Sequence, residues 1–196
     1  MNLPNKLTIF RIILVPIMVI IPFIGIQGTF YNVPIENLLI LAIFAIASYT
    51  DHLDGKIARK QNIITTFGKF ADPLADKILV LSAMLMLVEE QMLPAWIPII
   101  VLTREFVVSG YRLIAVEKGG QVIAASIWGK IKTVTQMIAI ILALLDTNAF
   151  GAFVNIGLTG YSLVLNVLST SLMLISTFAT IFSGIDYLKG CKKLFQ

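Results

Sequence analysis

The sequence predicts an all-α, polytopic membrane protein with six transmembrane helices and both termini in the cytoplasm. Three observations carry that prediction. Of the 196 residues, 58% are apolar and 13% charged, with a mean hydropathy of +0.91. A chain this short has too little interior to hide so much apolar surface from water. Six apolar segments meet or approach the roughly 20 residues that a spanning helix needs. The 15 Lys and Arg residues all fall on one side of the topology those segments define.

The predicted spans are residues 8–26, 36–60, 67–88, 94–116, 126–145 and 156–188. The last is longer than a bilayer requires, so it tilts, kinks near Gly184 or projects from the membrane. The connections GIQGTFYNVP, QNIITT, EEQML, EKGGQVIA and DTNAFG carry the Gly, Pro, Asn and acidic residues of turns. Lys6 and Arg11 flank the first span. Lys56, Arg59, Lys60, Lys69 and Lys77 surround the second connection, Arg104, Arg112, Lys118, Lys130 and Lys132 the fourth, and Lys189, Lys192 and Lys193 form the tail. The first, third and fifth connections hold only Glu36, Glu89, Glu90 and Asp146. This segregation puts the basic side in the cytoplasm and gives the net charge of +4 a topological meaning, with no nucleic-acid partner. No repeat or linker divides the chain, so residues 1–196 read as a single membrane domain. No small-residue cleavage site follows the first apolar run, which reads as a retained helix rather than a signal peptide. Cys191 is the one cysteine, which excludes a disulfide framework.

The anomaly is a set of carboxylates in the second and third spans: Asp51 and Asp54, then Asp72 and Asp76. A charge at the centre of a spanning helix costs on the order of 3 kcal/mol, and four carboxylates repel one another as well. Asp51 and Asp54 lie about 60° apart around a helix and Asp72 and Asp76 about 40°, so each pair shares a face. If the two helices form an antiparallel hairpin, the faces can oppose each other. Four oxygen donors without sulfur or a His cluster suit Mg²⁺, Mn²⁺ or Ca²⁺ rather than zinc. Pairing with Lys56, Arg59, Lys60, Lys69 and Lys77 at the water boundary is the alternative, but it requires neither same-face spacing nor the interleaved Gly55, Ala58 and Gly68. A helical glycine costs about 1 kcal/mol against alanine, so Gly55 points to a close approach, by a nucleotide or by a packed helix.

The stretch DHLDGKIARKQNIITTFGKFADPLAD, residues 51–76, fits the pattern D-x2-D-G-x2-A-R-x8-G-x3-D-x3-D at Asp51, Asp54, Gly55, Ala58, Arg59, Gly68, Asp72 and Asp76. This is the signature of the CDP-alcohol phosphatidyltransferase family, which the chain resembles along nearly its whole length. TREFVVSGYRLIAVEKGG and SIWGKIKTVTQ make it most similar to the bacterial, phosphatidylglycerophosphate-forming branch. The resemblance implies that Asp51, Asp54, Asp72 and Asp76 hold two divalent cations, Mg²⁺ or Mn²⁺, and that Asp76 is also the general base. It implies that Gly55, Ala58, Arg59 and Gly68 face the donor CDP-diacylglycerol, that the acceptor is sn-glycerol 3-phosphate and that the chain forms a homodimer in the cytoplasmic membrane among its lipids. Asn5, Thr8 and Arg11, spaced by three on the first helix, resemble the family's N-terminal pattern and are further candidates for the substrate cavity. His52 fills a variable slot and receives no role.

Acceptor recognition is expected from spans four and five. Arg104 and Arg112 are about 80° apart around one helix, with Lys130 and Lys132 opening the next. Basic groups this deep need a partner, and Arg suits bidentate phosphate binding. Snorkelling to the interface accounts for Lys118 and the C-terminal lysines, and competes evenly for Lys132. Glu105 is placed to orient one of the arginines. An inositol-phosphate enzyme would share such a pocket, a serine enzyme is a further family alternative, and a divalent-cation transporter is disfavoured by Arg59, Arg104 and Arg112, which would repel the permeating ion. Pro73 would suit a helix start behind Asp72 as N-cap, but the resemblance implies a helix from about Phe67 through Pro73, bent by the proline, and that is the expectation.

Overall fold

In a computed structural model the structure describes residues 2–61, 66–117, 127–146, 148, 150 and 157–191, with side chains for all of these except 3–4, 52–61, 66–67, 69–70, 113–117 and 190–191. Six helices follow one another: α1 (Leu3–Ile24), α2 (Ile35–Gln61), α3 (Thr66–Glu89), α4 (Trp96–Glu117), α5 (Ile127–Leu145) and α6 (Gly160–Cys191). Each predicted span coincides with one of them to within a few residues. α3 continues through Pro73, so this proline is internal rather than a helix start, and α6 remains helical through Gly184. The first connection adds what the sequence reading missed, a two-stranded antiparallel hairpin of β1 (Thr29–Phe30) and β2 (Val33–Pro34). Its turn residues Tyr31 and Asn32 both take positive φ, 51° and 64°, which is the geometry that matches the twist of two short strands.

Among the described residues three helices are long and apolar enough to cross a membrane: Asn5–Ile24, Ile127–Leu145 and Gly160–Lys189. The other three are the helices that carry the motif aspartates and the two arginines. Outward faces are apolar, with Ile13, Ile17, Ile20 and Phe23 exposed on α1, and Val164, Leu168, Ile175 and Phe178 on α6. An apolar exterior around polar interior positions suits a lipid surround rather than water.

The chain divides into two compact units, one of Met1–Glu90 with Leu144–Thr147 and one of Gln91–Ala143 with Asn148–Gln196. In the first, α1 packs on both α2 and α3. Its buried positions are Thr8, Arg11, Val15, Met18 and Ile21, spaced three or four apart, the period of a single helix face. α2 buries Ile40, Phe44 and Ala47, and α3 buries Ala71, Ala75, Leu79 and Ala83. Small residues let backbones approach closely where lipid supplies no hydrophobic drive for association.

In the second unit α4 packs on α6. The buried seam of α6 is polar and small: Asn166, Ser169, Met173, Ser176, Thr180, Ser183 and Tyr187 recur at steps of three and four, a heptad spacing. Its hydroxyls are largely satisfied within the helix, Ser169 donating to the Asn166 carbonyl at 3.0 Å, Thr177 to Met173 at 2.8 Å and Thr180 to Ser176 at 2.7 Å. Back-bonding of this kind lets a hydroxyl occupy an apolar seam without a stranded donor.

Candidate active site

Within the first unit, one turn of α1 holds a motif carboxylate from each of its two neighbours. Arg11 is fully buried, and its Nη1 lies 2.8 Å from Oδ1 of Asp51 on α2, whose side chain is 41% exposed. The same guanidinium donates from Nε to the Ala47 carbonyl at 3.3 Å, one turn earlier on α2, where Thr50 Oγ1 also donates at 2.7 Å. Three residues before Arg11 the buried Thr8 donates through Oγ1 to Oδ1 of Asp72 on α3. Residues three apart on a helix are separated by only about 4.5 Å along its axis, so α1 fixes the two carboxylates against adjacent points of one surface. Asp76 is half-buried one turn beyond Asp72, and Gly68 is buried one turn before it.

Thr8 and Arg11, expected in the substrate cavity, therefore contact the motif aspartates themselves, and Asn5 is half-buried on the same helix. The side chains of Asp54, Gly55, Ala58 and Arg59 lie outside the described residues. Among the described residues no three His, Cys, Asp or Glu side chains gather as a metal-binding group, and the set contributed by Asp51, Asp72 and Asp76 is a carboxylate set only. Its chemistry fits a hard divalent cation, and the hydrogen bond from Thr8 and the charge of Arg11 are the kind of outer contacts that orient ligating carboxylates.

In the second unit α4, α5 and α6 bring the predicted cations into one network. Arg104 donates from Nη1 to Glu105 Oε1 at 2.8 Å and from Nη2 to Ser183 Oγ of α6 at 2.6 Å. Lys132 of α5, 8% exposed, donates to the same Glu105 oxygen, so it is held inside the helix group rather than snorkelling. Arg112 donates from Nη2 to Tyr187 Oη at 2.9 Å. Gly184 and Gly129 abut Arg104: a Cβ at Gly184 would lie 3.5 Å from Arg104 Cγ and one at Gly129 3.7 Å from its Nη2, both ordinary contact distances. Arg104 Nε is buried and has no acceptor among the described residues. Arg104 and Lys132 thus share one carboxylate, Glu105, while Arg112 is held by the neutral hydroxyl of Tyr187. Such a surplus of positive charge with a stranded donor favours an anionic ligand. Lys130 is exposed.

Glu105 matches its expected orienting role. Ser183 and Tyr187 were not anticipated, although the heptad spacing of small polar residues in the last span, ending on an aromatic, marks the face on which they lie.

Residues 1–182 match the family model described as CDP-alcohol phosphatidyltransferase. The chain is 40% identical over 195 residues to the CDP-diacylglycerol–glycerol-3-phosphate 3-phosphatidyltransferase of Bacillus subtilis, covering 95% of this chain and 93% of that protein. It is 39% identical over 197 residues to the protein of the same name from Haemophilus influenzae, with 97% and 94% covered. A probable phosphatidylglycerophosphate synthase of Mycobacterium tuberculosis is 37% identical over 186 residues, with 95% and 79% covered.

The contacts of α1 make a stability prediction. Arg11→Ala removes a fully buried side chain and unpairs Asp51, and should lower unfolding stability in detergent by about 3 kcal/mol. The isosteric Thr8→Val loses one hydrogen bond and should cost about 1 kcal/mol. Thermal unfolding of both variants, followed by circular dichroism, checks this; an Arg11→Ala protein as stable as wild type would mean that the pair with Asp51 adds nothing.

Proposed function

The chain belongs to the CDP-alcohol phosphatidyltransferase family, and on that premise we propose how its reaction runs: the phosphatidyl group of CDP-diacylglycerol passes to sn-glycerol 3-phosphate with the help of two divalent cations, giving phosphatidylglycerophosphate and CMP. The reaction itself rests on end-to-end similarity to enzymes named for it. Asp51, Asp54, Asp72 and Asp76 would hold the cations, Mg²⁺ or Mn²⁺. When bound, these would neutralise the donor diphosphate and act as Lewis acids on the attacking and leaving oxygens.

The chain's own residues do the rest. Thr8 and Arg11 keep Asp72 and Asp51 in place on α1. Gly55, Ala58, Arg59 and Gly68 receive the CDP moiety, the glycines leaving space for close approach and Arg59 pairing with phosphate. Arg104, Arg112 and Lys132 bind the acceptor's phosphate, with Lys130 as an outer charge, and Glu105 holds Arg104 and Lys132 in place. Asp76 takes the proton of the acceptor hydroxyl as its oxygen bonds to the lipid-linked phosphorus; the phosphorus–oxygen bond to CMP breaks, and CMP leaves with that electron pair. Asp76 serves as ligand and base together, four residues beyond Asp72 on the same face of α3.

The observation that carries the acceptor assignment is the pairing of Arg104 and Lys132 with a single carboxylate, Glu105, with Arg112 on the neutral Tyr187 hydroxyl and the buried Nε of Arg104 stranded. Serine carries no phosphate and has no use for it. Inositol phosphate would use it equally, and similarity to glycerol-3-phosphate enzymes decides against it. Purified protein in detergent should release CMP from CDP-diacylglycerol only with Mg²⁺ or Mn²⁺ present, and with glycerol 3-phosphate far faster than with inositol phosphate or serine. Metal-independent release, or preference for serine, would overturn the proposal.

The same proposal includes six spans, both termini cytoplasmic, a homodimer, and an active site opening to the cytoplasmic face of the cell membrane. The one-sided placement of Lys and Arg supports the spans, the termini and the facing side; the homodimer rests on the family resemblance alone. In a Cys191→Ser background, a cysteine at Thr29 should react with an impermeant thiol reagent added outside intact cells, and one at Asn62 should not. The reverse labelling pattern would invert the topology.

A further inference from the structure

Tyr187 is the one aromatic on the buried seam of α6, and it is 3% exposed. Its ring lies close to both arginines of α4: the guanidinium carbon of Arg104 is 5.6 Å from the ring centroid and that of Arg112 is 5.7 Å away. Both distances are within the range over which a ring quadrupole attracts a cation. The hydroxyl of Tyr187 accepts from Arg112 Nη2 at 2.9 Å, while Ser183, one turn earlier on α6, accepts from Arg104 Nη2 at 2.6 Å.

Arg104 and Arg112 are about 12 Å apart along the axis of α4, too far for one phosphate to be gripped by both unless their long side chains converge. Both guanidinium groups do converge, on one ring. Cations held near each other repel, and a second carboxylate would relieve the repulsion only by cancelling charge. An aromatic face with a hydroxyl stabilises both guanidinium groups and leaves their charge intact for an anion.

We propose that Tyr187 is a positioning residue for the acceptor: it fixes the spacing and orientation of Arg104 and Arg112, and thereby sets affinity for a phosphomonoester dianion such as that of glycerol 3-phosphate. The inference rests on the acceptor-phosphate reading given above. The ring supplies most of the effect, and the hydroxyl trims the orientation of Arg112.

The test is steady-state kinetics of CMP release by the full chain in detergent, with glycerol 3-phosphate and CDP-diacylglycerol varied in turn, for Tyr187→Phe, Tyr187→Leu, Arg104→Ala and Arg112→Ala. Tyr187→Phe keeps the ring and its volume, so it remains informative even if Tyr187→Leu does not fold. It should raise the glycerol 3-phosphate KM about threefold with kcat unchanged. Tyr187→Leu should raise that KM at least about tenfold while the CDP-diacylglycerol KM stays within about twofold. An unchanged glycerol 3-phosphate KM in both Tyr187 variants, or equal damage to both substrates, would overturn the positioning role. So would a Tyr187→Phe effect as large as that of Tyr187→Leu. If the arginine variants raise the glycerol 3-phosphate KM and the Tyr187 variants do not, this inference alone falls. If Arg104→Ala and Arg112→Ala also leave it unchanged, the acceptor-phosphate reading falls with it.

Discussion

The fully buried guanidinium of Arg11, set against Asp51, is the constraint on which the first unit depends. A cation with no exposed surface is costly among apolar side chains unless a counter-charge and an acceptor compensate it, and α2 offers both, an ion pair with Asp51 and the carbonyl of Ala47 one turn earlier. That requirement fixes α1 against α2 in rotation and in height. Thr8, a turn away, then bonds Asp72 and fixes α3 in the same way. The apolar positions of α1 at Val15, Met18 and Ile21 supply packing, but packing alone tolerates rotation of one helix past another. The polar contacts do not, because a slip of one residue would strand both Arg11 and Asp51.

The second unit solves a different problem, the gathering of like charges. Arg104, Arg112 and Lys132 are held by Glu105, Ser183 and Tyr187, of which only Glu105 carries an opposing charge. α6 can present these partners because its seam is made of small residues, so that α4 comes close enough for side chains to reach across. The hydroxyls of the same seam are mostly satisfied by their own backbone, and the packing costs few unmet hydrogen bonds.

Much of this was legible in the sequence because the physics that dictates it is local. Apolar runs of spanning length give the six helices, and the fixed spacing of residues 51–76 gives the candidate donor site. A helix through Pro73 is less easily read, since proline at that place can equally begin a helix; the continuous helix from Thr66 to Glu89 settles it. The roles of Thr8 and Arg11 were legible only as positions, because their partners are 64 and 40 residues away and no spacing rule links them. Tyr187 escaped for a similar reason. A tyrosine near the end of an apolar span reads as an interfacial residue, and only the packing of α4 on α6 brings it to the two arginines.

Direct binding of Mn²⁺ to the purified protein, followed by electron paramagnetic resonance as the free-ion signal is lost on titration, tests most directly the claim that the aspartates pinned by α1 form a metal centre. Two saturable sites per chain should be found in the wild type, with at least one lost or weakened about tenfold or more in Asp72→Asn and in Asp76→Asn. Wild-type protein that binds no Mn²⁺ saturably, or variants that bind it as wild type does, would contradict the account.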